Sequence, residues 1–379
     1  MAPSTITIEA PRPRFEPAAL TPGDEQAGIR DAVRGIFAKY ATVEQIRTVS
    51  QTPLGYSSEQ WTRLVDDMSV TTLAAPEDQG GLGYGMVELG IILEECGRSL
   101  SPEPVYSSAV LGVQAFLHAP THTDEARKKL LDGSAVAAVS TLTTEGDRIL
   151  ARKTESGWIL DGESHNVVGG SGADVVVVSA QYEDGVGVFA LETERHVDAR
   201  PRTVLDPTRR QADLTVTQSP AILLASAEHS ATYIAHLRDL STLALASENT
   251  GIADAVLDMT VEYVKTRSQF GRPIGSFQAV KHRLADVLIE LERARSAARY
   301  AAAVYDGRPD DAHLAIAVAG AVCIDAALHA VHEAVQLHGG VGFTWEHPAH
   351  SYLRRALGNE AIQGDSRTHR ARIADLVAL

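Results

Sequence analysis

The apolar and polar positions divide the chain into three stretches with different periods. From about residue 23 to 130 apolar residues recur with helical spacing, and the same spacing returns from about 226 to the end. Between these stretches, from about 134 to 218, short β-branched runs such as ADVVVVSAQ and VGVFALE are separated by Gly, Asp and Ser, as expected for strands. The pattern therefore predicts helices, then strands, then helices.

The helical stretches carry well-defined apolar stripes. One N-terminal and three C-terminal stripes are Ile29, Val33, Ile36 and Phe37; Ile252, Val256, Met259 and Tyr263; Leu284, Val287, Leu288 and Leu291; and Ile324, Leu328, Val331 and Val335. The last stripe stops at Gly339–Gly340, a natural helix end. We predict an α+β protein with an N-terminal helical domain at 1–130, a middle β-barrel or sandwich-like domain at 131–225 and a C-terminal helical domain at 226–379.

Three local features refine this division. Residues 1–22 are Pro-rich and polar and predict an irregular or extended arm. The segment APEDQGGLGYG holds four glycines and predicts a mobile or tightly turned loop. The segment SGWILDGES predicts a strand with a turn at Asp161–Gly162.

Composition narrows the class of protein. A formal charge of −15 and a pI of about 5.4 argue against a nucleic-acid-binding or anionic-membrane surface. Cys96 and Cys323 are far apart and form no C-x-x-C, so no thiol redox pair or Cys-based zinc site is indicated and a reduced, cytoplasmic setting fits. The N-terminus lacks an apolar signal core, and no apolar run approaches the roughly 18 residues of a membrane span.

Several common catalytic motifs are absent from the sequence. No G-x-G-x-x-G follows a strand and no P-loop occurs, so a Rossmann or P-loop nucleotide site is unsupported. His332–Glu333 begins an apparent H-E-x-x-H, but Gln336 stands where the second histidine is required. We therefore expect no metal site.

The first positive signal is RSQFGRPIGSFQAVKHRLAD, which lies where one helix ends and the next begins. Arg267 and Arg272 carry guanidinium groups that can bind phosphate, and Gln269 and Gln278 offer amide donors. Composition alone favours a plainer interpretation, a polar connection with surface arginines placed near a helix C-terminus.

The second positive signal is AVQLHGGVGFTWEHP. Gly339 and Gly340 allow a ligand to approach the backbone closely, and Gln336 lies about one turn earlier. Taken alone, the segment is more simply a glycine C-cap followed by a turn.

Together, these two segments closely resemble the acyl-CoA dehydrogenase family, and PEDQGGLGYG resembles the N-terminal loop of that family. The resemblance covers nearly the whole chain and implies a C-terminal four-helix bundle, an FAD cofactor and desaturation of a fatty or steroid-like acyl-CoA between Cα and Cβ. In that family a carboxylate removes the α proton, the β hydrogen leaves as hydride to the flavin, and an electron-transfer flavoprotein accepts the electrons.

The resemblance also implies roles for individual residues. Two segments match the motifs that reach over to the FAD of a neighbouring subunit. Their matching positions are Arg267, Gln269, Phe270 and Gln278 in the first segment and Gln336, Leu337, Gly339 and Gly340 in the second. Both halves of this reach-over site are present in the sequence.

The position of the family's catalytic glutamate holds Gln363 instead. A neutral amide cannot remove a proton. Ser241 occupies the place where some family members carry the base on an earlier helix, and no activating partner for it is visible in the sequence. Asp239, Glu248 and Glu360 are the nearby carboxylates, although each is more often expected to be solvated or ion-paired.

The β stretch departs from the family pattern as well. STLTTEGDRILA is shorter than the family segment that holds the flavin ring, and Val168 and Gly169 cannot stack or donate as the usual Trp and Thr do. The combination resembles the non-base subunit of actinobacterial α2β2 heterotetramers that often act on steroid side-chain CoA thioesters. Two alternatives remain open: a self-sufficient homotetramer with a relocated carboxylate, and a non-redox pseudoenzyme that binds acyl-CoA.

Overall fold

A computed structural model of the chain describes residues 21–119, 124–140, 148–344 and 347–378. Two segments discussed above fall outside these ranges. They are residues 1–20 of the predicted N-terminal arm and residues 141–147 of the shortened STLTTEGDRILA segment.

The N-terminal part is helical, as predicted. Its described helices are α1 (Asp24–Tyr40), α2 (Val43–Val49), α3 (Ser58–Asp66), α4 (Met86–Ser99), a π-helical segment (Val105–Gly112), α5 (Val113–Leu117) and α6 (Asp124–Leu131). The glycine-rich segment before α4 is tightly turned. The amide of Gly81 donates to the carbonyl of Pro76 at 2.9 Å, and a Cβ on Gly81 would lie only 2.0 Å from the carbonyl oxygen of Ala75.

The middle part is a seven-stranded sheet that closes into a barrel. Its strands are β1 (Ala137–Ser140), β2 (Arg148–Thr154), β3 (Gly157–Val168), β4 (Val175–Tyr182), β5 (Gly185–Glu192), β6 (Val197–Pro201) and β7 (Gln211–Ala225). Pairing runs from β4 through β2, β3, β7 and β5 back to β4, while β1 adds to β4 and β6 adds to β7. Leu160, Phe189 and Leu214 are fully buried in the core of this barrel.

The predicted turn at Asp161–Gly162 was wrong, because β3 continues through these residues. The pairing register with β7 shifts at this point, so the irregularity is a bulge within the strand. Gly162 has φ +142°, and a Cβ there would lie 2.0 Å from the carbonyl oxygen of Arg148 on β2. A glycine is required where two strand backbones approach this closely, and the sequence pattern alone does not distinguish that requirement from a turn.

The C-terminal part is again helical. It contains α7 (Ala227–Thr266), the two-residue strands β8 (Ser268–Gln269) and β9 (Arg272–Pro273), α8 (Gln278–Gly307), α9 (His313–His338), α10 (Ala349–Gln363) and α11 (Ser366–Leu376). Helices α7, α8 and α9 pack side by side, and α10 packs on α7 and α9. One hydrophobic cluster joins this bundle to the N-terminal helices and to one side of the sheet, so the three parts share a core. The domain boundaries predicted above stay predictions.

The expectation that no apolar run is long enough to span a membrane was wrong for one helix. His313–Phe343 is long and apolar enough by length and composition, but 61% of its most apolar window is buried inside the fold. Alanine-rich α9 is a core helix of the bundle, where Ala317, Ala319 and Ala327 are fully buried.

Candidate functional site

The first reach-over segment is a small hairpin at the C-terminal end of α7. Helix α7 ends at Thr266, Arg267 follows in extended conformation, and β8 pairs with β9. The turn between them places Phe270 at φ +53° and Gly271 at φ +78°, two left-handed residues in succession. This backbone is typical of a tight two-residue hairpin, and it projects the Phe270 side chain away from the protein.

The side chains of this hairpin face solvent. Phe270 is 90% exposed, which is unusual for a large apolar side chain, and Arg267 and Gln269 are exposed too. Among the described residues, no hydrogen bond or ion pair engages the Arg267 guanidinium. Gln278 begins α8 and shares a 2.7 Å hydrogen bond with His282. The guanidinium of Arg267 and the ring of Phe270 are therefore accessible to a ligand or to another chain.

The second reach-over segment is the end of α9. Gly339 terminates the helix with φ +62°, a conformation that favours glycine. Gln336, Gly339 and Gly340 are exposed, whereas Leu337 is half-buried. The nearby Phe343 is 72% exposed. This second segment likewise offers backbone and apolar groups to the outside.

Tyr263 connects the two reach-over segments. It lies one turn before Arg267, its ring stacks on His338 with centroids 4.3 Å apart, and its hydroxyl donates to the His338 carbonyl at 3.4 Å. His338 directly precedes Gly339, so the contact fixes the end of α7 beside the end of α9. Sequence reasoning missed His338; its only signal was a histidine at the last position of an apolar helix. We call the exposed residues Arg267–Phe270, Gln336, Gly339 and Gly340 the reach-over face.

The position of the family glutamate lies in a different environment. Gln363 is the last residue of α10 and is half-buried. Both polar atoms of its amide are shielded from solvent and have no hydrogen-bond partner within the described parts of the chain. A buried amide without hydrogen-bond partners is costly in a folded protein.

Ser241 has a partner that the sequence did not reveal. Its hydroxyl lies 2.7 Å from the hydroxyl of Tyr106, and both residues are buried. Burial raises the pKa of Tyr106 to about 12, so the tyrosine is neutral and does not activate the serine as a base would. The pair is a satisfied polar contact between α7 and the π-helical segment.

Glu248 is held in a buried ionic cluster rather than in a substrate cavity. Its carboxylate accepts hydrogen bonds from Arg209 and, at 2.9 Å, from Arg355. Arg355 also donates to Asp206 at 2.5 Å and is itself fully buried. Although burial alone would raise the pKa of Glu248, the two guanidinium groups hold it at about 2. This makes Glu248 a poor general base at neutral pH.

The other two carboxylates differ in their surroundings. Asp239 is buried, with His313 Nδ1 2.5 Å from one carboxylate oxygen and Arg372 Nη1 2.5 Å from the other. These contacts tie α7 to α9 and α11. Glu360 is half-buried on α10, three residues before Gln363. The structure thus explains Asp239 and Glu248 as ion pairs and leaves Glu360 without an assigned role.

A small cavity lies beside Val168 and Gly169, the two residues that depart from the family pattern for the flavin side. The cavity lined by Tyr106, Val168, Gly169 and Arg209 has a volume of about 50 Å³. The Arg209 guanidinium lies over the Tyr106 ring, 4.9 Å from its centroid, and fills one side. On the other side Gly169, at φ +76°, packs so closely that a Cβ would lie 2.9 Å from Ser107 Oγ. Ligand pockets usually measure about 300–1,000 Å³.

Comparisons with known proteins identify the family of the chain. Models of the acyl-CoA dehydrogenase N-terminal and C-terminal domains match residues 23–136 and 234–378. Acyl-CoA dehydrogenase IpdE2 of Mycobacterium tuberculosis (strain ATCC 25618 / H37Rv) is 32% identical over 343 residues, covering 90% of this chain and 94% of that protein. The chain belongs to the acyl-CoA dehydrogenase family.

Two solved structures resemble this member of the acyl-CoA dehydrogenase family along almost its entire length. The ChsE4-ChsE5 complex from Mycobacterium tuberculosis matches with a TM-score of 0.85 at 27% identity, covering 95% of this chain and 99% of the matched chain. A variant of the Tcur3481-Tcur3483 steroid ACAD matches with a TM-score of 0.83 at 29% identity and with the same coverage. The predicted family and fold are thereby confirmed.

The two halves of the site fit the family's FAD unequally. The reach-over face offers the chemistry that a pyrophosphate needs, namely the guanidinium of Arg267, the amide of Gln269 and accessible backbone at Gly339 and Gly340. The cavity beside Val168 and Gly169, with a volume of about 50 Å³ and bordered by Tyr106 and Arg209, is smaller than a ligand pocket usually is. The prediction from Val168 and Gly169 that this chain's own flavin pocket is degraded stays a prediction, and the contact between Tyr106 and Arg209 was not visible in the sequence.

Proposed function

We propose that this chain is the subunit without the catalytic base in a hetero-oligomeric acyl-CoA dehydrogenase, an α2β2 assembly with a second chain of the same family. The observation that carries the proposal is the contrast between an exposed reach-over face and an internal flavin position of about 50 Å³. The structural relative ChsE4-ChsE5 is named as a complex of two chains, which supports the same arrangement.

In this assembly FAD would accept the hydride when the acyl-CoA is dehydrogenated between Cα and Cβ. Arg267, Gln269 and the backbone at Gly339 and Gly340 would hold the pyrophosphate of an FAD shared with the partner chain. The partner supplies the carboxylate that removes the α proton, since the amide of Gln363 cannot accept one.

The proposal extends to substrate, acceptor and location. The related Tcur3481-Tcur3483 protein is named a steroid ACAD, which favours a steroid side-chain CoA thioester over a simple fatty acyl-CoA. An electron-transfer flavoprotein takes the electrons, and the enzyme works in the cytoplasm. Cys96 and Cys323 are both free and buried, which agrees with a reduced compartment.

The test compares the chain alone with the chain co-expressed with a family member that carries the glutamate. Flavin content after gel filtration and turnover on a steroid side-chain CoA thioester are measured in both preparations. We expect the chain alone to retain little FAD and to show no turnover, and the co-expressed pair to gain both. A yellow homo-oligomer with ordinary turnover would support the self-sufficient alternative instead. A pair that assembles without flavin would support the pseudoenzyme.

A further inference from the structure

A second, larger cavity lies between α4 and α8, apart from the reach-over face and the closed flavin position. Its volume is about 760 Å³, which is within the range of small-molecule sites. Its deeper wall includes Ser247 of α7 and Gln114 and Leu117 of the α5 segment. The residues lining the closed position are a different set, so the two spaces are separate.

The two helices define the length and the wall of this cavity. At one end the Asp306 carboxylate of α8 accepts the amides of Met86 and Val87 at 2.7 and 2.9 Å. At the other end Arg299 of α8 faces Glu94 of α4. Seven helical residues separate Arg299 from Asp306, which corresponds to about 10 Å. The wall is mixed, and its apolar part includes Met86, Ile91, Leu117, Ala298 and Ala302.

The carboxylates that line the cavity already have partners. Asp306 caps α4 through the two amides, and Glu88 accepts a hydrogen bond of 2.9 Å from Gln26. Glu94 is paired with Arg30 at 2.5 Å. A cationic ligand would therefore have to compete with existing contacts for each of these groups.

Arg299 is a cationic side chain in the lining of the cavity. Its side chain is 24% exposed, and its ion pair with Glu94 is long at 3.8 Å. No hydrogen bond to its guanidinium is formed within the described ranges of the chain. Burial lowers the pKa of Arg299, a sign that its surroundings compensate the charge poorly, yet an arginine stays protonated in proteins. A planar guanidinium in this position matches a carboxylate through two parallel hydrogen bonds.

We propose that this cavity binds an amphipathic carboxylate, with the carboxylate on Arg299 and the apolar body along the α4–α8 wall. All the residues that line this site belong to this chain, and none of them is part of the reach-over face. Its ligand class is a free aliphatic or alicyclic acid whose apolar part extends roughly 10 Å from the carboxylate, as the distance between the two ends of the cavity requires.

The test uses decanoate as the probe and 1-decanol as its uncharged counterpart, with calorimetric titration of the full-length chain. We expect decanoate to bind with submillimolar affinity and decanol to bind at least about tenfold more weakly, because a charge-assisted hydrogen bond is lost. Arg299→Leu should weaken decanoate binding by a similar factor. Arg293→Leu replaces an exposed arginine on the same helix and is the matched control. This variant should leave the affinity for decanoate unchanged.

A second variant keeps the test decisive if Arg299→Leu perturbs the fold. Ala303→Phe adds a ring on the cavity side of α8 and should abolish binding, while circular dichroism checks that the helices are intact. Absence of decanoate binding to the unmodified chain would overturn the proposal. Equal affinity in Arg299→Leu or in Ala303→Phe would overturn it as well. Neither readout depends on flavin content, so failure here is distinguishable from failure of the proposed dehydrogenase role.

Discussion

Helix α7 passes through two regions of opposite character. Its middle carries Ser241 and Glu248, which are buried and fully engaged by Tyr106, Arg209 and Arg355. Its C-terminal end leads into Arg267–Phe270, whose side chains are exposed. The middle of α7 therefore lines a closed internal space, and its C-terminal end leads to groups that face solvent. In a homo-oligomer of this family the first region would have to be open for the flavin, whereas the second would be exposed on the isolated chain in either kind of assembly.

The closed region is held by charge as well as by packing. Arg209, Arg355, Asp206 and Glu248 form a neutral set of two cations and two anions, all buried. Such a set is weak evidence for stability, because taking ions out of water is costly. Removing one member, however, is strongly destabilising, because its former partner stays buried without a counter-charge. The exposed region has no comparable network, so substitutions there should change binding and leave the fold intact.

The largest expected effect comes from breaking the buried cluster. Arg355→Leu leaves Asp206 and Glu248 short of a counter-charge in a fully buried site and should cost about 3–5 kcal/mol of unfolding free energy. Urea denaturation followed by circular dichroism measures the loss. Arg370→Leu is the matched control, because the Arg370–Asp325 pair is exposed and should contribute nothing measurable. Equal small losses in both variants would show that the buried cluster is not what holds the region closed.

The same cluster predicts a pH dependence of stability. The pKa of Glu248 is lowered in the folded chain from 4.5 to about 2, a difference on the order of 3 kcal/mol. That stabilisation is fully present above about pH 4.5 and is lost as the pH falls towards 2. Glu248→Gln removes the titrating group, so the stability gap between the unmodified chain and the variant should narrow over this window. A gap that stays constant from pH 6 to pH 3 would contradict the depressed pKa.

The exposed region predicts a loss of cofactor affinity instead. Arg267→Ala removes a charge-assisted hydrogen bond worth about 1.5–3 kcal/mol and should weaken FAD retention of the assembled enzyme roughly 10- to 150-fold. Flavin content after gel filtration and the FAD dissociation constant measure the effect, with circular dichroism as the control for the fold. Arg293→Ala, at a surface arginine on α8, is the matched control for the loss of an exposed positive charge. If the Arg267→Ala complex keeps its full flavin occupancy, Arg267 is only a surface cation.

The sequence allowed much of this contrast to be predicted, but not its cause. The helical stripes and β-branched runs predicted the order of elements because burial imposes a period of 3.6 or 2 on apolar residues. Gln363 and the glycines at 339–340 could be assigned to positions of the family motifs from the sequence alone. Arg209, Arg355 and Tyr106 were not readable, because they come from three separate elements and meet only through long-range packing. The bulge at Gly162 was missed for the same reason, since the close backbone of β2 leaves no local signal.

The smallest expected effect tests whether Ser241 takes part in the chemistry. If its contact with Tyr106 is only structural, Ser241→Ala in the assembled enzyme should leave kcat within about twofold, since it removes one neutral hydrogen bond. A serine acting as the base would cost about 10²–10⁴-fold, the usual contribution of general base catalysis. Tyr106→Phe is the matched control, because it removes the same hydrogen bond from the other side and keeps the ring that fills the pocket. Turnover unchanged in both variants, with a modest loss of stability near 1 kcal/mol in each, is expected from a polar contact inside a filled space. A large loss of turnover in Ser241→Ala alone would place the chemistry inside this chain and overturn the assignment of the base to its partner.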